Sequence, residues 1–254
     1  MAKITPELVR NQLSELHLGI VCPMANEEET AVPFVEAVLA ECAPYSFKSV
    51  TFFAVLDGKS HDNTRQLLNN LKERSPGLRV VWAPESNGVV KAYVRGYQEA
   101  LEAGSDWILE IDSGFSHQPS EIPQFFDKML EGYDCVFGSR FCEGGAFAEN
   151  SSRRYFISRG GTVLSNLLLG TTLKDMTSGF ELFTRNSLRF VLDRGIQSRS
   201  PFFQTEIRAY CHHLKIVEVP IHYRAGSHEI RGAALRDSFG NLWRLFQLRM
   251  KGQL

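Results

Sequence analysis

The 254 residues contain no apolar run approaching the ~20 positions that a membrane-spanning helix requires. Met1 to Leu16 carry charges throughout and lack a continuous apolar core, so neither a secretory signal nor an integral membrane segment is expected. Cysteine is scarce and scattered: Cys22, Cys42, Cys135, Cys142 and Cys211 are odd in number and include no Cys-x-x-Cys pair. That argues against a disulfide framework and a zinc site, and a cytoplasmic location follows as the expectation. Charge of neither sign dominates, with 28 Lys and Arg against 29 Asp and Glu. A net charge of −1 exerts no global pull toward nucleic acid. Internal repeats and low-complexity segments are absent as well.

What is present is a rhythm of short apolar runs and helical periods in a chain that is 43% hydrophobic, enough for one large core. His17 to Pro23 predicts a strand, and Asn26 to Glu29 supplies acidic first-turn residues for a helix through Val32 to Cys42. Ser49 to Leu56 is a second strand, followed by the polar loop Asp57 to Thr64 and a helix from Arg65 to Arg74. Leu78 to Ala83 is a third, and Tyr93, Tyr97 and Leu101 mark a helix over Val89 to Ala103. Trp107 to Ile111 is a fourth, Ser120 is placed to cap a helix through Leu130, and Asp134 to Ser139 is a fifth. Farther on come a helix from about Tyr155 to Leu169, a strand Phe180 to Thr184, helices near Asn186 to Asp193 and Gln204 to His213, and a strand Lys215 to Tyr223. The alternation predicts an α/β fold with a mostly parallel sheet flanked by helices.

Four polar clusters fall at predicted strand exits: Pro23 to Glu28, Asp57 to Thr64, Asp112 to His117, and Arg140 to Arg154. In a parallel sheet these exits converge on one rim, and a rim of acids and arginines suits a phosphorylated ligand held with a divalent cation. Asp112 is placed to hold that cation; an Asx turn closing the strand explains the same residue without a ligand. His117 reads equally as a turn residue, and His212-His213 as ordinary histidines of a helix.

Together Pro23-x-x-Asn26-Glu27, Asp57-Gly58 with Asp62-Asn63-Thr64, Gly88-x-x-x-Ala92-Tyr93, Asp112-x-x-x-Ser116-His117-x-Pro119, Gly138-Ser139-Arg140-Phe141, Ile157-Ser158-Arg159-Gly160, Asp175-x-Thr-Ser-Gly-Phe180, Phe203-Gln204-x-Glu206 and Glu218-Val-Pro-Ile221 resemble the family 2 glycosyltransferases. The similarity is strongest to dolichyl-phosphate mannose synthases and other polyprenyl-phosphate glycosyltransferases, and runs in order from about residue 17 to 232. It implies a GT-A-like, Rossmann-like fold, a nucleotide-sugar donor, a lipid-phosphate acceptor and transfer with inversion at the cytoplasmic face of the membrane. On that resemblance Pro23, Asn26, Glu27 and Asp57 meet the donor's base and ribose, and Gln204, Glu206, Arg224 and Arg231 line the donor site. Asp112 is the metal ligand and, with Arg140, Arg154 and Ser158, the reacting set, the last three meeting the acceptor phosphate or donor diphosphate.

The chain departs from the pattern at Gly114, where the family has a second metal-binding Asp, so a weakened Mg or Mn site is expected. Leu56, Ala25 and Val90 replace other common residues, and Lys59 is an extra loop residue. A phosphate acceptor is ionised near neutrality and needs no general base. Two alternatives stay open: a hydroxyl acceptor, with Glu206 or Asp175 as base, and a non-catalytic nucleotide-sugar-binding relative. The catalytic domain is expected over residues 1–233, and 234–254 form an amphipathic helix with basic residues around its apolar face. That helix fits equally a place on its own domain or peripheral contact with a membrane.

Overall fold

In a computed structural model of the chain, residues 13–147, 152–224 and 232–254 are described. The first half alternates strand and helix: β1 (His17–Pro23), α1 (Ala31–Cys42), β2 (Ser49–Asp57), α2 (Thr64–Lys72), β3 (Leu78–Ala83), α3 (Val89–Glu102), β4 (Trp107–Glu110), α4 (Ile122–Met129) and β5 (Cys135–Ser139). A two-residue strand β6 (Ala146–Phe147) then precedes α5 (Ser152–Leu169), β7 (Glu181–Thr184), α6 (Arg185–Arg194), α7 (Phe203–Tyr210), β8 (Ile216–Pro220), β9 (His222–Tyr223) and α8 (Gly232–Met250).

Seven strands form one sheet in the order β3-β2-β1-β4-β7-β5-β8, and β6 pairs with β9 apart from it. β1 is central because its run of apolar residues can be covered on both faces, as a parallel interior strand must be. Ile20 and Cys22 face the layer of α1 and α4, whereas Val21 faces α3. In register, Ile20 lies between Phe52 of β2 and Leu109 of β4. Strand order therefore reverses between β1 and β4, which opens a crevice at their carboxyl ends. Only β7 runs antiparallel, between β4 and β5.

Several expectations need correction. No acidic residue stands in the first turn of α1, which begins after Thr30, because Glu27 and Glu28 are drawn into loop contacts. Ser120 makes no capping bond; a 3-10 turn over Pro119–Glu121 leads into α4 instead. The expected strand Lys215 to Tyr223 is two strands, because Ile221 turns inward and is fully buried. The helix from Gln204 ends at Tyr210, and Cys211–His213 tighten into a 3-10 turn.

The close approach of α3 to the sheet requires Gly96. A β-carbon there would run into Val21 and come within 3.0 Å of Val55 Cγ2. Gly96→Ala is expected to lower stability by about 1–3 kcal/mol through overpacking, read as a fall in the urea midpoint at unchanged slope. A variant as stable as the wild type would show that α3 can lift off the sheet freely.

Candidate active site

The site forms where β4 runs out. After the Ile111 amide donates to Val21 O at 3.2 Å the chain turns sharply, with Gly114 at φ 69° and Phe115 at φ 56°. A phenylalanine in the left-handed region costs on the order of 1–3 kcal/mol, and its ring offsets this by packing edge-on to Phe34 at 5.1 Å. The turn leaves Asp112 at the mouth of the β1–β4 crevice with its side chain 38% exposed, so a ligand can reach it. Tyr93 fixes one face of that carboxylate, its hydroxyl donating to Oδ1 at 2.6 Å. His117 lies beneath it, Nδ1 3.8 Å from Oδ2, with its ring between Phe180 and Tyr223 at 5.1 and 5.2 Å. Burial drives His117 down to about 4, more strongly than Asp112 pulls it up, so the imidazole is neutral near pH 7.

The loops after β1 and β2 complete this edge. Pro23 ends β1, and Asn26, itself at φ 60°, donates from Nδ2 to Lys59 O and accepts from the His61 amide, both at 2.9 Å. Asp57 accepts from the Lys59 amide on Oδ1 and the Gly88 amide on Oδ2, both at 3.0 Å, which clamps the β2 loop to the start of α3. Glu27 reaches across to the Asp112 turn: Ser113 Oγ donates to its Oε1 at 2.9 Å, and Thr30 donates to Oε2. A side chain at 114 would start 3.2 Å from Glu27 Oε2. Glu27 thus fills the space into which a second carboxylate of the turn would project. Pro23, Asn26, Glu27, Asp57 and Asp112 share one edge, as the rim argument requires.

Behind Asp112 the floor is charged and closed. Glu110, the residue before Ile111, pairs in register with Glu181 of β7, and both are fully buried. Burial favours at most one negative charge between them. Arg208 of α7 settles which, its Nε donating to Glu181 Oε1 at 2.6 Å while its other nitrogens take the carbonyls of Asp175, Gly138 and Ser178. Glu110 keeps its proton: burial, then the neighbouring Glu181 charge, raises it well above the usual carboxylate range, outweighing the bonds it accepts from Tyr97 and Gln204. Gln204 Oε1 is buried without a partner among the described residues, and a β-carbon at Gly179 would come within 2.9 Å of its Nε2.

The remaining site residues divide. Arg140 is buried and bound in two-pronged fashion by Asp175, Nε to Oδ2 at 2.7 Å and Nη2 to Oδ1 at 2.9 Å, and donates to Thr177 Oγ1 at 2.5 Å. The rings of Phe141, Phe147 and Tyr223 surround its guanidinium at 5.2–5.4 Å. Its charge is matched internally by Asp175. Burial pushes Asp175 up, but the Arg140 charge and hydrogen bonds, the Arg208 charge and the Thr177 amide together hold it far below its ordinary range. Glu206 points away from Gln204, round the helix, and accepts from the Gln197 and Ser198 amides at 3.1 and 2.9 Å, from Tyr210 Oη at 3.0 Å and from Arg244. It anchors the tail helix and is not brought to Asp112. Ser158 stands half-buried on α5, and Arg224 reaches the Asp112 loop through its backbone, its amide donating to Ser116 O at 2.9 Å. Arg231 and the Arg154 side chain lie outside the described residues.

Among the described residues no three His, Cys, Asp or Glu side chains cluster as a metal cage. Asp112 alone fits a cation that arrives with phosphate oxygens, the mode in which magnesium uses one or two carboxylates and fills its other positions with substrate and water.

With this geometry in place the likeness to known proteins can be read. The model of glycosyl transferase family 2 matches residues 19–192. The chain belongs to that family. An undecaprenyl-phosphate mannosyltransferase of Micrococcus luteus is 28% identical over 88% of this chain and 91% of its own length. A polyprenol monophosphomannose synthase of Mycolicibacterium smegmatis is 26% identical over 92% of this chain and 88% of its own. Glucosyl-3-phosphoglycerate synthase of Mycobacterium tuberculosis, solved with Mn2+, UDP-glucose and phosphoglyceric acid, superposes with a TM-score of 0.66 at 18% identity, over 96% of this chain and 84% of that one. The last comparison places this family 2 glycosyltransferase in the same GT-A fold.

Sequence reading missed Tyr93, Glu110 and Arg208 as members of the site. Tyr93 reads as a core position of α3, which it also is. Glu110 did carry a signal: an acid inside an apolar strand must find a partner or a proton. The buried acid makes stability pH-dependent. The native state holds a proton that the unfolded chain releases above about 4.3, so stability falls as pH rises through the window above that value, by up to about 1.4 kcal/mol per pH unit. Glu110→Gln should flatten this slope, gaining on the wild type between pH 5 and 8 in denaturant titrations, with a residual slope from Glu181, which burial raises to about 7. Parallel curves for the two proteins would show that Glu110 is ionised in the fold.

Proposed function

We propose that this family 2 glycosyltransferase moves a sugar from a nucleotide-sugar donor to a polyprenyl phosphate, with inversion, at the surface of the membrane that holds that lipid on its cytoplasmic side. The observation that carries the reading is that, among the described residues, the two acids expected to act as a base are already engaged. A hydroxyl acceptor would need one, and both acids suited to that role are consumed: Asp175 by Arg140, and Glu206 by Ser198, Tyr210 and Arg244. A phosphate acceptor brings its own negative oxygen. The names of the two polyprenyl-phosphate relatives support the same choice.

In this reading Pro23, Asn26, Glu27 and Asp57 form the edge that receives base and ribose. Asp57 and Gly88 preset the loop geometry, so little ordering is needed when the nucleotide arrives. Asp112, held by Tyr93 and His117, faces the diphosphate, and a divalent cation bound there with the donor would offset the charge that develops on the leaving nucleotide. Gln204 closes the floor under the sugar with an unused carbonyl oxygen. Arg154, Ser158 and Arg224 meet the acceptor phosphate, with Arg231 beside the donor, while Arg140 shapes the aromatic wall. With a single protein carboxylate the cation site forms only together with the nucleotide.

Two measurements test this. Incubation with radiolabelled nucleotide sugars and a short-chain polyprenyl phosphate should yield an acid-labile glycosyl phosphate of inverted anomeric configuration. Asp112→Asn should slow the transfer by about 10²–10³-fold, the scale of losing one electrostatic contact in a preorganised site. Donor binding without turnover on any polyprenyl phosphate would overturn the assignment. In calorimetry, manganese alone should give no measurable heat, yet strengthen nucleoside diphosphate binding in the wild type and not in Asp112→Asn.

A further inference from the structure

Among the described residues eight large apolar side chains stand exposed, and all but Val89 lie on α5 or α8. On α5 they include Phe156, Val163 and Leu167, exposed by 70, 58 and 75%. On α8 they include Phe239, Trp243 and Met250, exposed by 61, 58 and 70%. The spacings of seven and four on one helix, and of four and seven on the other, set each trio in a single stripe. The inner sides of the same helices are committed to the protein: Leu169, Leu242 and Leu245 are buried in one core cluster. The two helices pack on each other, and Arg249 of α8 bridges their ends by donating to the Leu168 carbonyl at 2.8 Å. Their apolar stripes are therefore outward surfaces of one two-helix unit.

Charge indicates what covers it. α5 contains three arginines and no acidic residue, and α8 three arginines against Asp237. The pair thus contributes five net positive charges to a chain whose formal net charge is −1, one of them, on Arg244, matched by the buried Glu206. Asp237 is itself occupied, accepting from the Arg199 and Ser200 amides at 3.1 and 3.0 Å. A second copy of the chain would bring the same positive charges to the same face and repel it. An apolar stripe bordered by arginines, with a tryptophan in it, matches the interface of an anionic bilayer instead. Neither helix is long and apolar enough to cross one.

We infer that α5 and α8 together form a docking face that lies in the interface of an anionic lipid bilayer, with α5 bearing as much of the contact as the C-terminal helix. The inference extends the proposed function, and it gives α5 two tasks. The helix that carries Arg154 and Ser158 toward the acceptor phosphate is the one seated among the lipids, so the phosphate meets its binding groups at headgroup depth.

Vesicles of phosphatidylglycerol and phosphatidylcholine containing no polyprenyl lipid separate this from the reaction. The full chain should float with them and shift its tryptophan emission to the blue. Binding should weaken at least tenfold on pure phosphatidylcholine or in half-molar salt, because exposed charges are screened there. The double variant Phe156→Ser/Leu167→Ser should lose at least tenfold in vesicle affinity with α8 untouched, as should Phe239→Ser/Trp243→Ser with α5 untouched. Both should keep transfer to a short-chain, water-soluble acceptor, which shows that they are folded. Undiminished flotation of the α5 variant would overturn the two-helix face, as would a stable dimer in vesicle-free solution that both variants abolish. Vesicle binding can fail while transfer persists, so loss of this face leaves the proposed reaction standing, and the reverse also holds.

Discussion

The constraint on which the site depends is the placement of two glutamates opposite each other in the interior of a sheet. Register sets Glu110 against Glu181 at the β4–β7 pairing, where both are fully buried. Two bare carboxylates there would cost far more than the fold's net stability. Arg208 resolves the conflict, and in doing so it ties α7 to β7, to the end of β5 and to the segment from Asp175 to Ser178. One guanidinium thereby fixes four segments that form the floor beneath Asp112. Removing it would strand an ionised carboxylate, which is the costly way to break a buried pair.

That floor explains why the rim above is strained yet ordered. Three residues in the left-handed region bring the β1 and β4 exits together: Asn26 and Gly114, which adopt it readily, and Phe115, which does not. Each is held by something specific: Asn26 by the Lys59 and His61 backbone, Phe115 by Phe34, and Gly114 by lacking a side chain where Glu27 needs the room. Loss of the second acid in the turn is therefore more than a missing ligand. The vacated space is used by a carboxylate from another loop, itself held by Ser113 and Thr30, so negative charge remains near the turn but is bound to hydroxyls instead of projecting freely.

Much of the fold was readable in the chain. Strand-then-helix order, the convergence of polar clusters on one rim, and the family resemblance all rest on local patterns that tertiary structure preserves. What the sequence left open shares a cause. Where an acid or arginine stood near the rim, sequence could not say whether its charge faced a ligand or another side chain. Arg140 has the position of an acceptor-binding residue, but Asp175 comes from 35 residues away to neutralise it. Glu206 sits two residues from Gln204, and a helix turns neighbours at that spacing to opposite sides. The antiparallel strand β7 was equally hidden, because its apolar run reads the same in either direction.

The two ends of α5 and α8 show how a surface can be legible in composition and illegible in arrangement. The apolar-and-basic character of the tail is plain from its residues, and the helix packs on its domain through Leu242 and Leu245 while Phe239 and Trp243 face outward. What composition conceals is that α5, far away in the chain, presents the same character beside it. A wide apolar face on one helix can be covered by the protein it belongs to. A pair of adjacent stripes is left open among the described residues after the helices have met each other and the core. Keeping them exposed costs solubility, a cost that the proposed seat in an anionic bilayer interface would offset.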